Sequence, residues 1–278
     1  MLDLSSRLAR YTFGSIAIAI GLFLFFPIYW LVISAFKPDL ELYRIIPTLY
    51  PHEPTLTHFA TAFGRGNLLQ QLKNSLLVSC SAAGLNTLLA VYAGYSFAKF
   101  RYRGRRLMMV FLLSAQVFPF GLLLISLYPV ITNLGLIDSL PGLTVSYIVF
   151  ALPVSTYMFY SYFSQVPSEM IEAARADGAG ELRIFHTIIL PVSIPAVVTV
   201  FLYGFMWSWN DLLYSMTLII SEGKRTIGPG MLLAYLNEVN SDWGGAMAAS
   251  LVASSPIIVA FAFLQRWFIQ GVTAGSVK

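Results

Sequence analysis

Six stretches of this 278-residue chain stay apolar for as long as a bilayer-crossing helix requires, about 20 residues, or come close to it. They lie at about 11–36, 75–97, 107–130, 143–163, 195–219 and 246–264. Hydrocarbon offers no hydrogen bonds, so each such stretch has to satisfy its own backbone and is expected to be helical. Composition agrees: 57% of the residues are hydrophobic and 11% charged, with a mean hydropathy of +0.72, far beyond what a water-soluble core of this size requires. The expected fold is therefore an all-α integral membrane protein with six transmembrane helices in one domain covering 1–278. The first stretch follows Arg7 and Arg10 as a signal peptide would. Its apolar run is too long, however, and it lacks a clear small-residue cleavage site, so it reads as an uncleaved anchor.

Orientation follows from Lys and Arg in alternate loops, because cytoplasmic loops retain positive charge. One side carries Arg7, Arg10, Lys99, Arg101, Arg103, Arg105, Arg106, Arg175, Arg183, Arg266 and Lys278. The other carries only Lys37, Arg44, Arg65, Lys73, Lys224 and Arg225. Both termini are thus expected in the cytoplasm. The net charge of +4 is read as membrane topology, with no nucleic-acid partner. On the outer side, 37–75 is rich in prolines and turn residues and reads as an extended loop. The stretch 221–245 suits a structured loop facing another protein, and equally a lid over its own helices.

Several chemistries are set aside. The single cysteine, Cys80, permits no intrachain disulfide, and His52, His58 and His186 lack metal-ligand spacing, so no metal site is expected. There is no G-x-x-x-x-G-K-[ST] phosphate loop, no G-x-S-x-G elbow and no H-E-x-x-H helix. The chain reads as a non-enzyme without a cofactor of its own. A secondary transporter would need an ion-coupling site or repeats, and a membrane enzyme would need catalytic groups gathered at one depth. Neither is evident.

Between the fourth and fifth stretches lies "EAARADGAGELRIFHTIILP", Glu172 to Pro191, polar where its surroundings are not. Pro167 suits a first helical turn, Glu169 and Glu172 favour a helix N-terminus, and Gly178 offers the left-handed residue that ends it. Met170, Ala173, Ala174 and Asp177 recur at helical spacing as a face of small side chains that another protein could approach closely. A second short helix, "ELRIFHTII", follows with Gly180 as its cap, ended by Pro191 and Pro195. A helix-turn-helix along the cytoplasmic face is expected, either docking a protein or resting on the membrane as an amphipathic linker.

The spacing EAA, three residues, G, nine residues, I, one residue, LP, formed by Glu172, Ala173, Ala174, Gly178, Ile188, Leu190 and Pro191, resembles the signature loop of ATP-binding-cassette importer permeases. "NSLLVS" at Asn74, "AGYSFAKFRYRGRR" at Ala93, "LPVSTYMFYSYFSQVP" at Leu152, "WNDLLY" at Trp209 and "QRWFIQGVTAGSVK" at the C-terminus are similar to the second permease of maltose-type carbohydrate importers. Gly180 departs from the Ser or Thr frequent there. The resemblance implies a coupling helix within 167–191 that docks on a cytoplasmic ATPase through Glu172, Ala173, Ala174, Asp177, Gly178, Leu190 and Pro191. It further implies a tail, Gln270, Gly271, Thr273, Ala274 and Gly275, that reaches the ATPases. Implied partners are a second permease, two ATPase subunits binding ATP and Mg, an extracytoplasmic solute-binding protein and membrane lipid. The place implied is the cytoplasmic (inner) membrane of a bacterium or archaeon, and the cargo a sugar or sugar derivative, with another small polar solute as the alternative.

Polar side chains inside spans are expensive and so informative. Asn86 and Gln116 fall near mid-depth, while Asn210 and Asp211 lie roughly 20 Å from the start of the fifth span at about 1.5 Å per residue. With Trp209 they are the expected lining of the substrate path. Tyr203, Trp207 and Tyr214 stand nearby, and aromatic faces beside hydrogen-bonding groups match the mixed surface of a sugar. The same residues equally suit an interfacial aromatic belt and pairing with a neighbouring helix.

Overall fold

The computed structural model describes residues 7–65, 67–236 and 241–274, with side chains for 12–64, 67–236 and 241–265. Among the described residues the fold is helical, with one isolated β-bridge between Leu236 and Ser241. In chain order, α1 is Arg7–Phe36, α2 Asp39–Leu42, α3 Thr57–Arg65 and α4 Leu68–Lys99. Next come α5 (Arg105–Ser114), α6 (Phe120–Asn133), α7 (Leu140–Gln165), α8 (Ser168–Ala176) and α9 (Glu181–Ile184). A π turn, Phe185–Ile189, leads into α10 (Leu190–Val192), α11 (Ile194–Trp209), α12 (Leu213–Leu218), α13 (Ile227–Tyr235) and α14 (Trp243–Ala274).

Among the described residues, four helices are long and apolar enough to cross a membrane: Thr12–Phe36 of α1, all of α4 and α7, and Trp243–Gln265 of α14. Two bent pairs raise the number to six if each is counted as one span. The stretch 107–130 is one of these, α5 and α6 meeting at 105°. Pro119 explains the break, since it holds Phe118 extended (φ −73°, ψ 137°) and cannot donate to a continuing helix. In the other pair the α9–α10 run meets α11 at 77°, around Ser193.

Contacts group the chain into two compact units, Met1–Leu68 with Met231–Ser255, and Leu69–Gly230 with Pro256–Lys278. In the first, most of α1 is exposed apolar surface. The segment after it folds back on hydrogen bonds: Lys37 Nζ donates to Thr48 O (2.5 Å), and Glu41 accepts from Thr48 Oγ1 and from the backbone and ring of His52. The Thr48 hydroxyl foremost, then the His52 ring, hold the Glu41 carboxyl down at about 2. Asp242 caps α14 by accepting from Gly245 N (2.8 Å).

Among the described residues, the second unit holds two apolar cores. One joins α4 and α7 to the polar loop, with Tyr95, Phe159, Phe163, Ile171, Ile184, Phe185 and Ile189 buried together. α4 reaches α7 closely because Gly94 has no side chain: a Cβ there would strike Phe159 and come within 2.9 Å of Tyr160 N. The other core gathers Val78, Leu124, Leu143, Tyr147, Tyr214 and Leu218. The segment after α12 lies against this unit's own helices. Asn74 Nδ2 donates to Gly223 O and Arg225 O (2.9 Å each), and Asp138 accepts from Ile220 N, Ser221 N and Lys224 Nζ.

Candidate functional site

The loop 167–191 is set by local chemistry. Pro167 caps α8 in an extended conformation, Glu169 lies in its first turn and Arg175 in its last. Gly178 then turns left-handed (φ +82°), Gly178 N donates to Arg175 O and Ala179 N to Ala174 O, both at 3.0 Å. These paired bonds form the Schellman arrangement that a glycine at this position permits. Arg175 Nε donates to Glu181 Oε1 (2.6 Å) across the turn, a bond that raises the affinity of the guanidinium for its proton.

α8 has two distinct faces. Ile171 and Ala174 are buried in the loop core, whereas Glu172, Ala173 and Asp177 are exposed. The small-residue face expected from spacing is therefore divided: Ala173 and Asp177 are open to a neighbour, and Ala174 serves contact within the chain. The second helix also differs from expectation. It ends at Val192, between Pro191 and Pro195, yet runs one residue past Pro191, because the π turn intervenes and Leu190 N reaches back to Phe185 O. The widened turn carries the helical path through a residue that has no N–H to give. Leu190 is half-buried and Pro191 exposed.

Asn210 and Asp211 do not lie inside a continuous span. α11 stops at Trp209, and Asp211 opens α12 by accepting from Tyr214 N (3.3 Å) and Ser215 N (2.9 Å). The same carboxylate accepts from Tyr147 Oη at 2.7 Å. Asn210 is exposed and donates to Met206 O at 2.8 Å. Both residues line a cavity of about 820 Å³ together with Phe120, Tyr203, Met206, Trp207, Leu213 and Phe261. Its aromatic wall is closely packed: Trp207 stacks on Phe150 (4.1 Å) and meets Phe120 edge to face (4.6 Å), and Phe120 stacks on Tyr214 (4.4 Å). Such a wall offers flat apolar surface and few hydrogen-bonding groups.

The other expected path residues are placed apart. Gln116 lines a second space of about 220 Å³ and donates to Phe150 O at 2.9 Å. Asn86 is buried between α4 and α7, Nδ2 donating to Ser155 Oγ (2.7 Å) while Oδ1 has no partner. Trp209 is buried and stacks on Phe205 at 5.4 Å. Gln270, Gly271, Thr273 and Ala274 continue the backbone of α14. Their side chains, and all of Gly275, lie outside the described residues.

Two groupings had no signal in the sequence. Tyr147 meets Asp211 from 64 residues away. His58, Asp39 and Asp242 bring ligand atoms within 4.8 Å of one another, although His58 Nε2 is engaged with Lys37 O at 2.8 Å and Asp242 with the α14 cap.

Residues 86–274 match the family described as binding-protein-dependent transport system inner membrane component. Among curated proteins, the chain is 30% identical over 263 residues to the diacetylchitobiose uptake system permease protein DasC of Streptomyces coelicolor, covering 94% of this chain and 95% of that one. It is 32% identical over 274 residues to the inner membrane ABC transporter permease protein YcjP of Escherichia coli, with 96% and 98% covered. To the maltodextrin transport system permease protein MdxG of Bacillus subtilis it is 35% identical over 224 residues, 81% of each. The fold matches a chain of a bacterial ABC transporter involved in the import of the acidic polysaccharide alginate. The TM-score is 0.81 at 20% identity, with 95% of this chain and 98% of that chain covered. The chain thus belongs to the inner membrane components of binding-protein-dependent transport systems, the permeases of ATP-binding-cassette importers, and is a multi-pass membrane transport component rather than an enzyme.

Proposed function

We propose that this chain is a permease subunit of an ATP-driven importer for a sugar or sugar derivative in the cytoplasmic membrane of a bacterium or archaeon, and that 167–191 couples it to a cytoplasmic ATPase. The observation that carries this reading is α8: its inner face is sealed into a core, and Glu172, Ala173 and Asp177 are left exposed on a polar helix. A polar helix fixed to membrane helices from one side offers the other to a partner in water. The charged contact is assigned to Glu172, the close approach to Ala173, and the turn to Gly178.

In this reading the whole chain, 1–278, is one permease domain with six spans at about 11–36, 75–97, 107–130 (bent at Pro119), 143–163, 195–219 (interrupted after Trp209) and 246–264, with 167–191 outside them and both termini in the cytoplasm. A second permease completes the path, two ATPase subunits bind ATP and Mg, and an extracytoplasmic binding protein delivers the cargo. The tail from Gln270 to Gly275 reaches the ATPases. Closure of the ATPases on ATP draws the coupling loops together and turns the cavity outward, and hydrolysis resets it. The class of cargo rests on relatives named for diacetylchitobiose and maltodextrin, and on an aromatic cavity wall suited to the apolar faces of a saccharide. Asn210, exposed at that wall, is the residue of this chain assigned to the path. Mass spectrometry of the ligand co-purifying with the cognate binding protein tests the class. A saccharide or close derivative is the expected result, and an amino acid or peptide would overturn it.

A further inference from the structure

A loop that passes motion to membrane helices has to be fastened to one of them, and the polar attachments of 167–191 gather on α4 between Tyr92 and Lys99. Tyr92 Oη lies 3.0 Å from His186 Nε2. His186 Nδ1 donates to Leu182 O at 2.8 Å, so in the neutral ring Nε2 is the acceptor of the Tyr92 hydroxyl proton. The rings of Tyr92 and Tyr95 both rest on Phe185, at 5.1 and 4.8 Å. Lys99 Nζ donates to Val166 O at 2.7 Å, just ahead of α8. Phe185 and His186 open the π turn, a rare form found often at functional sites.

One attachment is unfinished. Tyr95 Oη and Glu181 Oε2 are both buried and both without a hydrogen-bond partner. Tyr95 is within electrostatic reach of Glu181 and Arg175. Buried polar groups in native proteins are paired, and this donor and acceptor, left open in one neighbourhood while Arg175 Nε holds Glu181 Oε1, are free to join when the loop shifts.

We propose that Tyr92 and Tyr95 are positioning residues that latch the loop to α4, Tyr92 through His186 in this state and Tyr95 through Glu181 once the loop moves, so that α4 follows the loop. This rests on the coupling role assigned above.

The test uses the assembled transporter, with its partner permease and ATPase subunits, in nanodiscs. Cys80, the chain's one cysteine, is exposed on α4 away from the latch. Its rate of labelling by N-ethylmaleimide, read by mass spectrometry of its peptide, is compared between nucleotide-free and ATP–vanadate-trapped complexes. The rate is expected to differ between the two states. Tyr92→Phe and His186→Phe should each shrink that difference about two- to tenfold, the worth of one hydrogen bond, and together by no more than either alone. Tyr95→Phe should change only the trapped state. Retention of ATPase subunits should be unaffected throughout. An unchanged difference in the single variants, multiplied effects in the double variant, or no difference in the unmodified complex would each overturn the latch. Failure of the coupling role shows elsewhere: Gly178→Val would then leave both the rate difference and the ATPase retention untouched.

Discussion

The coupling loop and the cavity wall are built by opposite means. In the loop, Phe185, Ile184 and Ile171 turn inward, and Glu172, Ala173 and Asp177 face out. In the wall, Phe120, Trp207 and Leu213 border the space, while the carboxylate of Asp211 turns back to hold Tyr147 and the first N–H groups of α12. The loop keeps the carboxylates of Glu172 and Asp177 on its exposed side. Among the wall's described residues, the one carboxylate is engaged in architecture. A polar residue in an apolar segment therefore marks a function only once its partners are known, and here the neighbouring Asn210, with one bond to its own helix, is the freer of the pair.

The largest effect expected from this contrast is at Phe185. Truncation to alanine opens a cavity beneath the loop and should cost about 3–5 kcal/mol, as large-to-small changes at buried aromatics do. Purified Phe185→Ala complexes should unfold at lower temperature and shed ATPase subunits. Unchanged retention would mean that the inward face does not hold the loop. Next comes Asp211→Ala, which strands the Tyr147 hydroxyl and two backbone N–H groups and should cost about 2–4 kcal/mol by the penalty for buried groups left unpaired. The readout is complex yield and thermal stability beside uptake of several sugars. Intact stability with altered sugar preference would break the comparison by making Asp211 a substrate ligand. The smallest structural effect belongs to Asn210→Ala, within about 0.5 kcal/mol for an exposed side chain. Uptake should nonetheless change, and wild-type uptake with wild-type stability would remove Asn210 from the path.

Much of the loop was legible in the sequence because its causes are local. Pro167 before the helix and Gly178 after it act within one turn of themselves, and both stand where the spacing put them. Periodicity also grouped Ala173 with Ala174, yet could not tell which of them met the chain's own core. That depends on Ile184 and Phe159, which arrive from other elements. Pro191 reads as a helix terminator, and the π turn that carries the chain past it is held by packing rather than by propensity. Pro119 did carry a local signal for the break between α5 and α6, which the apolar length of 107–130 hides. The cavity wall was the least legible part. The role of Asp211 is decided by Tyr147, 64 residues away, and Phe120 enters the wall from the first turn of α6, just after the break.

The central claim is that the exposed face of α8 meets an ATPase in water. The most direct measurement places the photo-crosslinking residue p-benzoylphenylalanine at position 172 or 173 of the assembled transporter in native membranes. Irradiation should join this chain to an ATPase subunit from both positions, in a yield that changes when ATP and vanadate are added. Adducts with lipid alone, or with the extracytoplasmic binding protein, would contradict the account.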